Sequence, residues 1–276
     1  MLLRERLIPH TPAVPHLREC PSSERPLSER NRREADFHDA QAAQRASWYA
    51  ERPEALLVDD AQYLRHESWI SPAVDSLGPL RGRSVLDLGC GHGMASVVFA
   101  RRGAAVTGID LSAGYVAEAR LRASVNRVSA QFRLADAERL PFADASFDCI
   151  WGNAILHHLD LSRMAGEIRR VLKPGGRAAF CEPWGENRLL RVLRRLPATG
   201  KDHTEDEAPL TRETLAPLTA EFPDMQFDGW QWLSAVCRGP LRGLGRRLVE
   251  PVERGLIARV PRLRFSCRYV VIQIVG

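Results

Sequence analysis

The sequence lacks the features that would tie it to a membrane, a metal or an oxidising compartment. No apolar run approaches the roughly 18 residues that a spanning helix requires. The chain opens Met1-Leu2-Leu3-Arg4 and passes at once to prolines and charges, so no apolar core of signal-peptide length is present. Its early arginines have the flavour of a transit peptide, but Glu5, Glu19, Glu24, Glu29 and Glu34 are set among them. The cysteines, Cys20, Cys90, Cys149, Cys181, Cys237 and Cys267, are scattered and no two form a C-x-x-C. That argues for reduced thiols and against cysteine-paired metal sites, and no His/Asp cluster stands at metal-ligand spacing. The expectation is a cytoplasmic protein with no metal. No internal repeat is visible.

What is present is an ordinary globular composition, with 45% hydrophobic residues over 276 positions. That is enough for one α/β core plus an attached cap. Residues 1–35 are rich in Pro, Ser, Arg and Glu and read as a loosely attached tail. Residues 36–276 read as the folded unit, beginning with a helical cap over 36–78. Within the central segment, 79–183, strand and helix patterns alternate as in a parallel sheet. Strands are predicted at Ser84–Leu88, Ala105–Asp110, Ser129–Leu134, Phe147–Gly152 and Arg177–Pro183. Helices are predicted over about 93–102, from a Ser112 cap to about Asn126, and over Leu161–Leu172 before the breaker Lys173-Pro174-Gly175-Gly176. The substrate-side segment, 184–276, is less regular, with a helix at Thr211–Phe222 and strand-like runs at Met225–Ser234 and Arg268–Val275.

The most informative segment is Asp87-Leu88-Gly89-Cys90-Gly91-His92-Gly93, between a buried strand and a helix. Its glycines let the backbone turn sharply and approach a ligand. A dinucleotide-binding turn has a small residue at the sixth position from its first glycine, where this chain carries Met94. Asp87 also stands where it would repel a pyrophosphate, whereas a carboxylate suits a ligand carrying ammonium and sulfonium charges.

The D-x-G-x-G-x-G run resembles the glycine motif of class I S-adenosylmethionine-dependent methyltransferases. Within them the chain is similar to the broad group containing ubiquinone and menaquinone C-methyltransferases and many small-molecule enzymes. The resemblance covers about Phe37–Pro183 well and the last third only in outline. It implies a Rossmann-like, doubly wound α/β sheet of about seven strands, the last antiparallel, with helical caps at both termini. It also implies S-adenosyl-L-methionine as cofactor. The turn residues Asp87, Gly89, Cys90, Gly91 and Gly93 would hold it. Asp110, with Leu111 beside it, would take the ribose hydroxyls. Asp136 would accept from the adenine amino group, the Ala137 N–H would meet the ring, and Asn153 would flank the methionine part.

Ligands of open α/β sheets sit at the carboxyl ends of the strands, so acceptor chemistry is expected after the fourth and fifth. There His158, His157 and Glu182 are candidate bases, and Trp184 a candidate wall. His203 in an acidic loop, and Tyr49 beside Trp48 in the cap, are candidate acceptor contacts. The fourth strand does not end in the D/N-P-P-Y/F associated with amino methylation of DNA bases or glutamine. Nor does a cysteine beside proline stand at a nucleophile position, as it does in cytosine-C5 enzymes.

Positive charge is concentrated late in the chain. Residues 238–264 carry arginines at 238, 242, 246, 247, 254, 259, 262 and 264 against Glu250 and Glu253, with leucines and valines at helical spacing. A second basic amphipathic stretch is Arg188–Arg195. Such helices suit a lid beside an acceptor pocket that meets an anionic amphiphile or a membrane surface. Sparse aromatics within them argue against RNA stacking, and nucleic acid is not an expected partner. The favoured acceptor is a small apolar or amphiphilic metabolite such as an isoprenoid, quinone, polyketide or lipid precursor. The alternatives are RNA modification and a non-catalytic cofactor-binding partner protein.

Overall fold

The computed structural model describes residues 27–187, 208–234 and 248–276. The stretch Arg188–Arg195, His203 and Arg238–Arg247 lie outside them. No helix among the described residues is long and apolar enough to cross a membrane.

Seven strands form one sheet: β1 Ser84–Leu88, β2 Ala105–Asp110, β3 Ala130–Leu134, β4 Phe147–Asn153, β5 Leu172–Pro183, β6 Gln226–Trp230 and β7 Tyr269–Val275. Their order is β3-β2-β1-β4-β5-β7-β6. The first five are parallel, whereas β7 runs antiparallel between β5 and β6. Every residue of β1 is buried, because helices cover both faces of the sheet. The expected α/β sheet with an antiparallel last strand is the observed fold.

The helices are α1 Glu29–Glu51, α2 Asp60–His66, α3 Ile70–Ser76, α4 Met94–Arg101, α5 Ala113–Val125, α6 Leu161–Val171, α7 Arg212–Glu221 and α8 Glu250–Arg259. Polar caps set several starts: Ser112 Oγ accepts from the Tyr115 N–H, and Thr211 Oγ1 accepts from the Thr214 N–H. The segment Lys173–Gly176 ends α6 as expected, yet it belongs to β5 rather than to a loop. The Gly175 N–H donates to the Gly276 carbonyl and the Gly276 N–H to Gly176, so this stretch is paired at the sheet's end.

The tail predicted to extend to residue 35 is shorter than that. Helix α1 begins at Glu29, capped by Ser28, and buries Asn31, Glu34 and Ala35. Hydrophobic periodicity could not announce this turn, because its contacts are polar. Arg30 pairs with Glu138, and Asn31 Nδ2 donates to Asp136 Oδ2 at 3.3 Å.

Further along, α1 lies across the start of α5. Asp39 Oδ1 accepts from Ser112 Oγ at 2.5 Å and from the Gly114 N–H at 2.8 Å. The Tyr115 hydroxyl donates to Gln41 Oε1 at 2.6 Å, and Arg45 pairs with the buried Glu118 at 2.8 Å. The helices approach so closely that a Cβ on Gly114 would lie 2.8 Å from the Ala42 Cβ and 3.2 Å from Asp39 Oδ1. Glycine to alanine in a helix ordinarily stabilises by about 1 kcal/mol. Here Gly114→Ala is expected to destabilise instead, by about 1 kcal/mol or more, because α1 must move away. A urea unfolding midpoint measures this, and a raised midpoint in the variant would show that the two helices are not in such contact.

Candidate active site

After β3 the chain crosses β2 and β1 to lay down β4 on the other side, so β1 and β4 are neighbours whose connections leave in opposite directions. Such a switch point opens a crevice at the strands' carboxyl ends. In this structure it is a cavity of about 1600 Å³. The upper range for a small-molecule pocket is about 1000 Å³, so there is space for two ligands side by side.

One end of the cavity is formed by the turn after β1 and by the tip of β2, with Asp87, Gly89, Cys90, Gly91, Asp110 and Leu111 on its wall. Gly91 has a left-handed backbone, φ 49°, and an added Cβ there would meet only the Tyr115 ring, at 3.8 Å. Gly93, expected among the cofactor contacts, caps α4 and backs onto Ala119, where a Cβ would collide at 2.8 Å; it is not on the wall. Its work is packing α4 against α5.

Two carboxylates face this end. Asp87 accepts from Ser96 Oγ at 2.5 Å, and burial pushes its pKa up to about 7. Asp110 Oδ2 accepts from the Gly91 N–H and Oδ1 from the Ser112 N–H, both at 2.9 Å; burial still raises its pKa, against the lowering effect of those bonds. Burying anions is costly unless a cation or donor meets them. His38 stacks on Tyr115 with ring centroids 4.9 Å apart, and His92 meets the same ring edge-on at 6.1 Å. The Nδ1 atoms of His38 and His92 are buried without a hydrogen-bond partner among the described residues. Burial, reinforced by Arg122, pushes the His92 pKa down to about 4, so the ring is neutral near pH 7. The wall thus offers buried carboxylates and orphaned ring nitrogens to a ligand with positive charge, hydroxyls and a heteroaromatic ring. S-adenosylmethionine has all three.

Farther along β2 and β3 the wall is Ala135 and Ala137. Asp136, expected at the adenine amino group, points elsewhere: its carboxylate accepts from Asn31 Nδ2 and from the Glu138 N–H. Asn153, at the end of β4, is on the wall as expected.

Beyond Asn153 the chain makes a 3-10 turn, Leu156–His158, that puts both histidines on the cavity wall. His157 Nδ1 lies 2.7 Å from Glu182 Oε2, and the two histidine rings are 4.1 Å apart. Glu182 is fully buried and also accepts from the N–H groups of Ile155 and Leu156, at 2.9 and 2.8 Å. With three donors and no surface on the cavity, it shapes the turn and orients His157, and it is not placed to act as a base. Trp184 is likewise no wall. It is 1% exposed in the core, donates from Nε1 to the Phe265 carbonyl and packs edge-on against Phe227. Tyr49 does reach the cavity, beneath the guanidinium of Arg122, which also holds the His92 carbonyl at 2.7 Å.

The remaining wall comes from residues that sequence patterns did not single out: Glu34 and His38 of α1, Tyr63 of α2, Trp151 of β4 and Tyr269 of β7. The expected basic lid differs from its prediction in the part described. No residue of 248–267 is on the cavity wall. Helix α8 instead docks through its acids, Glu253 accepting from the N–H groups of Leu233 and Ser234, and Glu250 from Ser68 Oγ. Arg254 pairs with Asp228 and lies over the Trp230 ring.

Comparison with known proteins agrees with this geometry. A family profile described as a methyltransferase domain matches residues 86–180, which carry the glycine turn, Asp110, Asp136 and the histidine turn. A malonyl-[acyl-carrier protein] O-methyltransferase of Erwinia billingiae is 35% identical over 193 residues, 65% of this chain and 71% of that protein. A ubiquinone biosynthesis O-methyltransferase of Alkalilimnicola ehrlichii is 33% identical over 159 residues, 56% of this chain. The chain spans 63% of the length of that relative and smaller shares of several others. Among solved structures, geranyl diphosphate C-methyltransferase from Streptomyces coelicolor A3(2) shares the fold at a TM-score of 0.58. It is 19% identical, over 91% of this chain and 99% of its own. The chain belongs to the S-adenosylmethionine-dependent methyltransferases.

Proposed function

We propose that this protein transfers a methyl group from S-adenosylmethionine to a small apolar or amphiphilic acceptor, removing a proton with the histidine turn. The observation that carries this is the arrangement of one cavity, with two buried carboxylates at the glycine turn and a carboxylate-backed histidine pair beyond Asn153. A bare cofactor-binding protein has no need of the second half. The relatives named for ubiquinone biosynthesis and for malonyl-[acyl-carrier protein] support an acceptor that is a metabolite or a carrier-bound acyl group.

The bound cofactor supplies a methyl carbon made electrophilic by its sulfonium. The chain's part is binding, alignment and proton removal. Asp87 neutralises the ligand's ammonium and Asp110 holds the ribose hydroxyls. The Ala137 N–H and the Asn153 backbone set the ring and the methionine end. Trp151, Ile155, Leu159 and Tyr269 line the acceptor side with apolar surface that excludes water. A histidine of the 157–158 turn takes the acceptor's proton.

The same reading extends to the acceptor's approach. With its acids turned inward, α8 and the segment after it expose Pro251, Val252, Ala258, Arg259, Val260, Pro261 and Arg262, a face that mixes apolar and cationic groups without an acid. An anionic amphiphile or anionic membrane surface is its complement. Vesicles of phosphatidylglycerol should co-sediment with the full chain more than phosphatidylcholine vesicles do, and less as salt screens the arginines. Equal binding to both would remove the anionic surface from the proposal.

Cofactor binding tests the main reading. Calorimetry with S-adenosylhomocysteine should give saturable binding, which Asp110→Ala weakens about 10- to 100-fold by removing a charged hydrogen-bond partner. Binding of a nicotinamide dinucleotide in its place would overturn the reading.

Acidity gives a second test. Burial holds the pKa of Asp87 at about 7, and a cationic ligand requires the ionised form. Affinity should therefore rise with pH up to about 7 and level off above, falling by up to about tenfold per unit on the acid side. His92, with a pKa near 4, contributes nothing to that change, and the ligand's amine stays protonated over it. Asp87→Asn should abolish the slope. A wild-type affinity that is flat below pH 7 would show that Asp87 does not ionise on binding.

A further inference from the structure

We propose that Glu34 of α1 is the positioning residue that makes His158, rather than His157, the base for the acceptor. The inference rests on the methyl-transfer reading above, and Glu34 lies outside the segment, 86–180, that the family profile matches. Glu34 is on the cavity wall and only 7% exposed. Its Oε1 is 3.4 Å from His158 Nδ1, and its Oε2 is 3.6 Å from His38 Nε2.

A carboxylate beside Nδ1 does two things to an imidazole. It draws the proton of the neutral ring to Nδ1, leaving Nε2 as the bare acceptor, and it stabilises the imidazolium formed when Nε2 takes a proton. His157 is backed in turn by Glu182, at 2.7 Å, so each histidine has a carboxylate at Nδ1 and the two differ in access. The His157 side chain is 7% exposed and that of His158 16% exposed. The rings are 4.1 Å apart, and the more open one, with its own carboxylate, is the one an acceptor can reach.

The other charged groups packed around His158 are already engaged. Glu182 of β5 is held by His157 and two backbone N–H groups. Arg30 of α1 pairs with Glu138, which also accepts from the Asp160 N–H. Asp160, which follows the turn, caps α6 through the Ser162 N–H, and Asp136 accepts from Asn31. His38 sits on the other side of Glu34, its Nε2 3.6 Å from Oε2, against 3.4 Å between His158 Nδ1 and Oε1. Glu34 is therefore the carboxylate placed to serve His158. Because α1 also spans the α5 lip through Asp39 and Arg45, the base is complete only when that helix lies across the cofactor end.

The test needs no acceptor. Imidazole nitrogen NMR of the ¹⁵N-labelled full chain, with His158→Gln to assign the resonance, reports tautomer and pKa directly. The wild-type His158 should be the Nδ1–H tautomer, and Glu34→Gln should lower its pKa by about one unit, as loss of an adjacent opposite charge does. An Nε2–H tautomer in the wild type overturns the proposal without any variant, as does an unchanged pKa in a folded Glu34→Gln protein. A glutamate that merely packed would move neither readout. Failure of S-adenosylhomocysteine to bind would overturn the methyl-transfer reading instead, and leaves the NMR result standing.

Discussion

Between β1 and β4 the chain reverses the direction in which it adds strands, and the helices that follow those strands depart to opposite faces. The gap this leaves at the carboxyl ends is a geometric necessity of the strand order β3-β2-β1-β4. Asp87 and Asp110 reach it from the ends of β1 and β2, Asn153 from the end of β4, and the histidine turn from the loop beyond. None of these groups would meet on a sheet whose strands were added in one direction only. The cap helix α1 then closes the gap from above, bound mainly through polar and charged side chains.

That closure has an energetic counterpart. Asp87 and Asp110 are held in surroundings that favour their protonated forms. Because the pKa of Asp87 is raised above its unfolded value, its contribution to the stability of the fold is greatest in acid. The contribution is lost as pH climbs from near 4 toward 7. A fold selected for stability alone would place apolar groups there. On the proposed reading that deficit gives selectivity, because a cationic ligand would relieve it and a pyrophosphate would add to it.

Much of this was legible in the residues. The run Asp87–Gly93 between an apolar strand and a helix, the acid ending β2 and the Ser112 cap each follow local rules that tertiary context did not override. What escaped reading falls in one class. Asn31, Glu34 and Asp39 join α1 to the core by hydrogen bonds and ion pairs, so the first turns of the helix have no apolar stripe to detect. Glu182 and Trp184 were misread for the complementary reason. A strand tip in this fold is a common place for chemistry, but whether a side chain there turns to the cavity or to the interior depends on neighbours 26 and 81 residues away, Leu156 and Phe265. A contact such as Glu34 with His158, between helix and loop more than a hundred positions apart, leaves no trace in any local window.

Strand β7 brings a different kind of constraint. It lies between β5 and β6, and β6 has no other strand neighbour among the described residues. Removing residues from Tyr269 onward would thus expose two bare strand edges at once and strip Tyr269 from the cavity wall. The parallel half, β3-β2-β1-β4-β5, holds the glycine turn and keeps all of its own ladders. The two halves of the cavity therefore differ in how they are assembled. The glycine-turn side is built from β1, β2 and β3, which are neighbours in sequence, with β4 returning to pair with β1. The Tyr269 side depends on a pairing between residues 172–183 and 269–275, which closes a longer loop and carries the larger closure entropy.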